Sequence, residues 1–322
     1  MNGDVLVVAE HLRGELKDVT RELISAGAEL KDSLGGRLIV AVISNGPAAL
    51  VGSVSLEGVD EVVQATVSDE EFNADTWVAV LEALISERSP AVILIGSTAN
   101  GLAVGPALAV RRRLGFASDV IGLSVQDGTL TARREFYGGK TEAELEFPAS
   151  IPVMLLLRPT TWRSASGTGS PEVTPFSPSI ASERIRTRHI QLLDPEPNDV
   201  DLSGATAVMA IGRGIGDREN VGRLSQLAAR LGMTLAASRP LIDAGFLPQS
   251  RLVGQSGATV KPKLYLALGI SGASQHAAGM KASETILAVN TDPRAPIFAI
   301  AHYAGVVDLF QVVDELERLA DQ

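Results

Sequence analysis

The chain has 322 residues, 45% of them hydrophobic, no cysteine and a formal net charge of -10. That length accommodates two domains of ordinary size, each with a sizeable core. The lack of cysteine excludes disulfides, thiol chemistry and cysteine-ligated iron–sulfur clusters, and the acidic balance excludes a general nucleic-acid binder.

The opening residues, MNGDVLVVAEHLRGE, lack a basic segment followed by a long apolar one. The longest apolar runs, AVILIG and IPVMLLL, fall short of the roughly 18 residues that a membrane span requires. A cytoplasmic location is expected. Strand-like and helix-like segments then alternate: VLVVAE, an amphipathic run from Leu16 to Leu34, RLIVAVIS, a helical WVAVLEALIS and AVILIGS. Such alternation predicts parallel strands with helical crossovers, so the first half reads as an α/β domain. The basic clusters Arg111–Arg113 and RIRTRH from Arg184 read as solvated helix face or edge strand in preference to phosphate sites.

From Pro159 to about Asp201 the composition turns to Pro, Ser and Gly, which marks loops and a linker. Domains are expected over 1–194 and 195–322. Alternation then resumes with ATAVMAIG, NVGRLSQLAARLG, TLAASRP, KLYLALG, TILAVN, APIFAIA and a C-terminal helix DLFQVVDELERLA. The reading is about five short parallel strands with small residues at their C-terminal ends, where open α/β sheets bind ligands.

Six strand ends carry the candidate chemistry. GRGIGD, Gly212 to Asp217, is not the dinucleotide fingerprint G-x-G-x-x-G; it suits a tight turn with Arg213 in solvent as well as a nucleotide contact. Ser238 and Arg239 follow a very short strand, and a guanidinium there suits either a flat ring or anion in the crevice or a surface ion pair. VGQSG, Val253 to Gly257, is a polar turn whose glycines allow close approach of a ligand. In GISGASQHAAGM, 269–280, Ser271 is expected to cap a helix whose N–H groups suit a pyrophosphate, with His276 about one and a half turns in. Asn290 and Asp308 suit a purine edge and a ribose hydroxyl, or a turn and a helix cap.

In this order and spacing, GRG, ASRP-x-x-DAG, VGQSG, LYLALGISGASQH-x-AGM, AVN-x-D-x-x-APIF and V-x-DLF resemble the C-terminal flavin domain of the electron-transfer flavoprotein α subunit. VLVVAEH, STANGLAVGPALAVRRRLGFASDV and FYGGK are similar to the family's first domain, so the resemblance spans nearly the whole chain. It implies two α/β domains with mostly parallel sheets flanked by helices. The first would be scaffold and β-subunit interface, the second a Rossmann-like fold that holds FAD.

The resemblance further implies a heterodimeric electron carrier without substrate turnover of its own and with no metal. Electrons would pass from flavin dehydrogenases, acyl-CoA dehydrogenases of fatty acid β-oxidation foremost, to a membrane quinone reductase. Carried over residue by residue, the FAD contacts are Arg213, Ser238, Arg239, Val253, Gly254, Gln255, Ser256, Ser271, Gly272, Ala273, Ser274, Gln275, His276, Asn290, Asp308 and Leu309. Ser256 would reach flavin N5, Arg239 would lie over the ring, His276 would approach the O2 side, and Asn290 with Asp308 would serve the adenosine half.

The sequence departs from the family at Ser256 and Ala258, where Thr and Lys are common, and in the loop holding Gln249 and Arg251. Serine keeps the hydroxyl. Two other readings are an electron-bifurcating or specialised carrier on the same fold, and a non-redox nucleotide-binding regulatory protein that has lost its flavin.

Overall fold

A computed structural model describes residues 3–320 apart from 138, 140, 149, 193–199 and 203. Two compact units emerge, Met1–Gln191 and Leu192–Gln322. The expected boundary between 194 and 195 lies outside the described residues, as do two positions of FYGGK, 138 and 140.

The first unit contains β1 (Val5–Val8), a small hairpin of β2 (His11–Leu12) and β3 (Glu15–Leu16), α1 (Asp18–Leu34), β4 (Leu38–Ser44), α2 (Val51–Val54), β5 (Glu61–Thr66), α3 (Ala74–Arg88), β6 (Val92–Gly96) and α4 (Ala99–Arg112). It continues with β7 (Gly115–Gln126), β8 (Thr129–Phe136), β9 (Thr141–Phe147), β10 (Val153–Leu157) and β11 (Glu172–Phe176). Nine strands form one sheet in the order β11-β5-β4-β1-β6-β10-β7-β8-β9. The pairs are parallel up to β7, and β7 to β9 extend the sheet antiparallel. Helices cover both faces of the parallel part, so its strands are buried on both sides and read as unbroken apolar runs. Val5 and Val7 enter one core while Leu6 and Val8 enter the other, the alternation a strand imposes.

The stretch from Pro159 is not only loop: its PEVTPF segment supplies β11, which pairs in parallel with β5 at the sheet edge. Pro175 is tolerated because an edge strand need not donate on both sides. Another part of that stretch is tied down by Glu22, whose carboxylate accepts the backbone N–H groups of Thr160, Thr161 and Trp162. Of the basic clusters, Arg111 lies 3.9 Å from Glu82, Arg184 also pairs with Glu82, and Arg186 pairs with Asp75.

The second unit contains β12 (Ala207–Ile211), α5 (Glu219–Arg230), β13 (Thr234–Ala237), α6 (Arg239–Asp243), β14 (Leu264–Leu268), α7 (Ser274–Ala277), β15 (Thr285–Asn290), β16 (Tyr303–Val306) and α8 (Leu309–Ala320). Its five strands are parallel in the order β13-β12-β14-β15-β16. The chain runs outward from β12 to β13 and then crosses back to β14, so the direction of winding reverses between β12 and β14. A crevice opens at such a reversal, beyond the C-terminal ends of the strands. Among the described residues no helix is long and apolar enough to cross a membrane.

Candidate functional site

The crevice is built from loops that leave β12, β13 and β14. Backbone approach at the reversal is close: Gly214 N–H donates to the Gly269 carbonyl at 3.1 Å, and a Cβ on Gly214 would stand 2.6 Å from the Gly269 Cα. The glycines of GRG therefore serve loop-on-loop packing, and Arg213 between them lines a cavity of about 370 Å³. Arg213 is exposed and stands at the rim of this cavity.

Eleven of the sixteen expected residues line this cavity: Arg213, Ser238, Arg239, Val253, Gly254, Gln255, Ser256, Ser271, Ala273, Gln275 and His276. The lining brings together three strand ends separated by long stretches of chain, with two cations, hydroxyls, an amide and an imidazole around an apolar floor. Gly272, Ser274, Asn290, Asp308 and Leu309 do not line it. Asn290 is committed to backbone, its Nδ2 donating to the Ile270 carbonyl at 2.9 Å and its Oδ1 accepting from Asp292 N–H. Asp308 Oδ1 accepts the Phe310 N–H at 2.8 Å and so caps α8, while Leu309 is buried. The Ser274 hydroxyl donates to Gln275 Oε1.

The turn holding Ser271 differs from the expected helix start. The helix α7 is a single short turn whose N-cap is Ala273, without a side-chain cap, and His276 is its third residue. Ser271 stands in the loop before it, where Gly272 adopts φ +83°. A Cβ on Gly272 would overlap the Ile297 backbone, so the loop is held flat against the 3-10 turn Pro296–Ala299. The small residues of this stretch leave the loop's other side open to the cavity, a cradle that larger side chains would fill.

Arg239 likewise stands one step further along than a strand end: Ser238 is the N-cap of α6 and Arg239 its first residue. Arg239 Nε donates to Asp243 Oδ1 at 2.6 Å, and its Nη1 donates to Ser256 Oγ at 3.3 Å. Gln249 Nε2 donates to the Ser256 carbonyl at 3.2 Å. One cation therefore orients the Ser256 hydroxyl as an acceptor on that side, leaving its own proton to donate elsewhere. Sequence reasoning assigned no role to Asp243 or Gln249; the signal for Asp243 was its i,i+4 spacing from Arg239 within one helical turn.

His276 is buried at the cavity wall, its Nε2 2.9 Å from the hydroxyl of Tyr265 in β14. Burial pushes the ring down to about 4, the Val253 carbonyl opposing, so the imidazole is neutral at neutral pH. Positive charge in the crevice comes from Arg213 and Arg239, and His276 contributes a dipole.

The first unit contains a different buried polar group. Glu10 follows β1 and is 2% exposed; its Oε2 accepts from the Thr98 hydroxyl at 2.7 Å, and its Oε1 is buried without a hydrogen bond. Burial pushes this carboxyl up to about 7, against the lowering effects of Thr98, the Gly96 backbone and Lys17.

A family model described as "Electron transfer flavoprotein domain" matches residues 5–181, and one described as "Electron transfer flavoprotein FAD-binding domain" matches residues 201–281. The chain is 42% identical over 315 residues to an electron transfer flavoprotein subunit alpha of Methylophilus methylotrophus, covering 97% of this chain and 98% of that one. It is 37% identical over 317 residues to the corresponding subunit of Mycobacterium leprae, covering 97% and 96%. It is also 32% identical over 316 residues to "Lactate dehydrogenase (NAD(+),ferredoxin) subunit LctC" of Acetobacterium woodii, covering 97% and 75%.

Proposed function

The chain belongs to the electron-transfer flavoprotein α-subunit family, and on that premise we propose that its second unit holds FAD as the α half of a heterodimeric electron carrier. A β subunit completes the carrier. Its first unit serves as scaffold and β-subunit interface, and it works in the cytoplasm. Electrons come from flavin dehydrogenases, acyl-CoA dehydrogenases foremost, and leave to a membrane quinone reductase. The observation that carries the reading is the convergence of Arg213, Arg239, Ser256 and His276 on one cavity at the strand reversal.

Bound FAD supplies one-electron chemistry that no side chain of this cysteine-free protein provides. The residues around it have distinct tasks. The small side chains of Ser271 and Ala273 line the cavity and leave room for the pyrophosphate, while Gly272 lets the loop lie against Ile297. Arg239, steadied by Asp243, places a cation beside the ring. Ser256, whose oxygen accepts from Arg239, keeps its own proton free and would donate it to flavin N5. His276 offers a preformed dipole on the O2 side, with no reorganisation needed when charge arrives there. Asn290 serves the adenosine half through the loop it fixes, its amide being engaged by backbone, and Asp308 through the carboxylate oxygen that does not cap α8.

A second reading, an electron-bifurcating or specialised carrier, gains support from the relative named as part of a ferredoxin-dependent lactate dehydrogenase. Co-expression of the chain with its β subunit, followed by absorbance and flavin stoichiometry, tests the proposal. One flavin per α chain fits a simple carrier, two per heterodimer fit the second reading, and a colourless complex that takes up no added FAD refutes both.

A further inference from the structure

Tyr265 is the only polar side chain of the strand Leu264–Leu268, and it is wholly buried. Its hydroxyl lies 2.9 Å from His276 Nε2, with the rings 6.1 Å apart and inclined at 61°. Among the described residues that hydroxyl has no second partner; His276 Nδ1 is buried without a hydrogen bond of ordinary geometry, and the backbone carbonyl of Val253 is the ring's other polar neighbour. A phenol this deep keeps its proton, because burial raises its pKa well above the usual value. The neutral imidazole has one proton to place. The pair must therefore arrange one phenolic and one ring proton.

If the ring proton sits on Nε2, it donates to the tyrosine oxygen. The phenolic hydrogen then has no acceptor, and the Nδ1 lone pair has no donor, so two buried groups go unsatisfied. If it sits on Nδ1, the phenol donates to Nε2 and the Nδ1–H is left to the Val253 backbone carbonyl, which favours a protonated ring nitrogen, so only the lone pairs of the phenol oxygen go unused. Each unsatisfied buried group carries a desolvation cost, so the second arrangement prevails.

We propose that Tyr265 is a positioning residue: its hydroxyl donates to Nε2 of His276 and so fixes both the orientation of the ring at the cavity wall and the nitrogen that carries its proton, Nδ1. The tautomer follows from this chain alone. Its effect on electron transfer rests on the flavin reading above: a ring locked as a neutral Nδ1–H tautomer presents a fixed dipole to the cofactor, and its proton cannot move to Nε2 unless the phenol turns away. Tyr265→Phe keeps the edge-on ring contact and removes only the donor.

The test is solid-state ¹⁵N NMR of the full chain, in complex with its β subunit and labelled at histidine, with and without flavin. The chain has four histidines, and the His276 signals are those lost in His276→Gln. In the wild type the expected spectrum shows Nδ1 protonated and Nε2 unprotonated but hydrogen-bonded. In Tyr265→Phe the Nε2 signal shifts toward a free lone pair or splits into a second tautomer. A wild type with the proton on Nε2, or a His276 spectrum indifferent to Tyr265→Phe, overturns the assignment. The same variant is then read by redox titration of the bound flavin: a shifted first potential with undiminished flavin content is expected, and an unshifted one overturns the role toward the cofactor. An Nδ1–H tautomer in a complex that binds no flavin would uphold the tautomer and defeat only the flavin reading.

Discussion

Replacing Glu10 by glutamine should make the first unit more stable, and only above the ordinary carboxylate range. The Glu10 carboxyl lies at the C-terminal side of β1 with one oxygen held by the Thr98 hydroxyl and the other buried without a partner. Ionisation there strands charge away from water, which is why burial raises the group from 4.5 to about 7. Between those two values the folded protein holds a proton that the unfolded chain has released. The stability it contributes is thus fully present below 4.5 and lost as pH rises through 7. A displacement of that size corresponds to about 3 kcal/mol between the two limits. Glutamine mimics the protonated form, keeps an acceptor for Thr98, and removes the dependence. Both tryptophans, Trp77 and Trp162, belong to the first unit, so their fluorescence during urea unfolding reports on it alone. The raised carboxyl of Glu22 is common to wild type and variant and cancels in the difference. Wild type should weaken relative to Glu10→Gln as pH rises from about 4.5 to about 7, and the difference should level off above neutrality. Parallel curves for the two proteins would refute the assignment of a strained, buried carboxylate.

Three further outcomes concern the crevice. Ser256→Ala should lower the one-electron potential by roughly 60–130 mV, the equivalent of losing one hydrogen bond to a charged group, while Ser256→Thr restores it and both retain FAD; a redox titration with unchanged potentials would remove Ser256 from N5. Arg239→Ala should also lower the first potential, and Arg239→Lys should recover only part, since an ammonium neither stacks nor reaches Asp243 and Ser256 together as the guanidinium does. Gly272→Ala combines an overlap with the Ile297 backbone and a left-handed φ, so flavin retention on gel filtration should fall sharply, whereas Ala273→Gly should keep it.

The parallel strands could be foreseen wherever a run was buried on both faces, because VLVV, LIVAVIS and LYLAL leave no other residence for so many apolar side chains, though their order in the sheet could not. The antiparallel strands β7 to β9 escaped that logic. Few of their residues are buried, and in TEAELEF they alternate between partly exposed and exposed, a pattern as compatible with loop as with strand until the pairing is seen. The edge strand β11 was hidden by Pro175 and by its polar neighbours. At the site, the motifs around Arg239, Ser256 and His276 were legible because each lies in the connections that follow β13 and β14, where small and polar residues break the apolar runs. What could not be read was how short α7 is, since GISGASQHAAGM has the composition of a longer helix and only the tight Gly272–Ile297 approach stops it from starting at Ser271. Nor could a sequence show that Tyr265, eleven residues before His276, returns to meet its ring, because that contact exists only once the strand and the turn after it are folded against each other.

The central claim is that the crevice between β12 and β14 is where the cofactor resides. Hydrogen–deuterium exchange of the heterodimer, stripped of flavin and then reloaded with FAD, tests it most directly. The account predicts that FAD slows exchange in the segments 212–215, 253–257 and 270–277 while the α-chain segments at the end of β1 and the start of α4 stay unchanged. Protection confined to the first unit, or none in the α chain despite bound FAD, would contradict it.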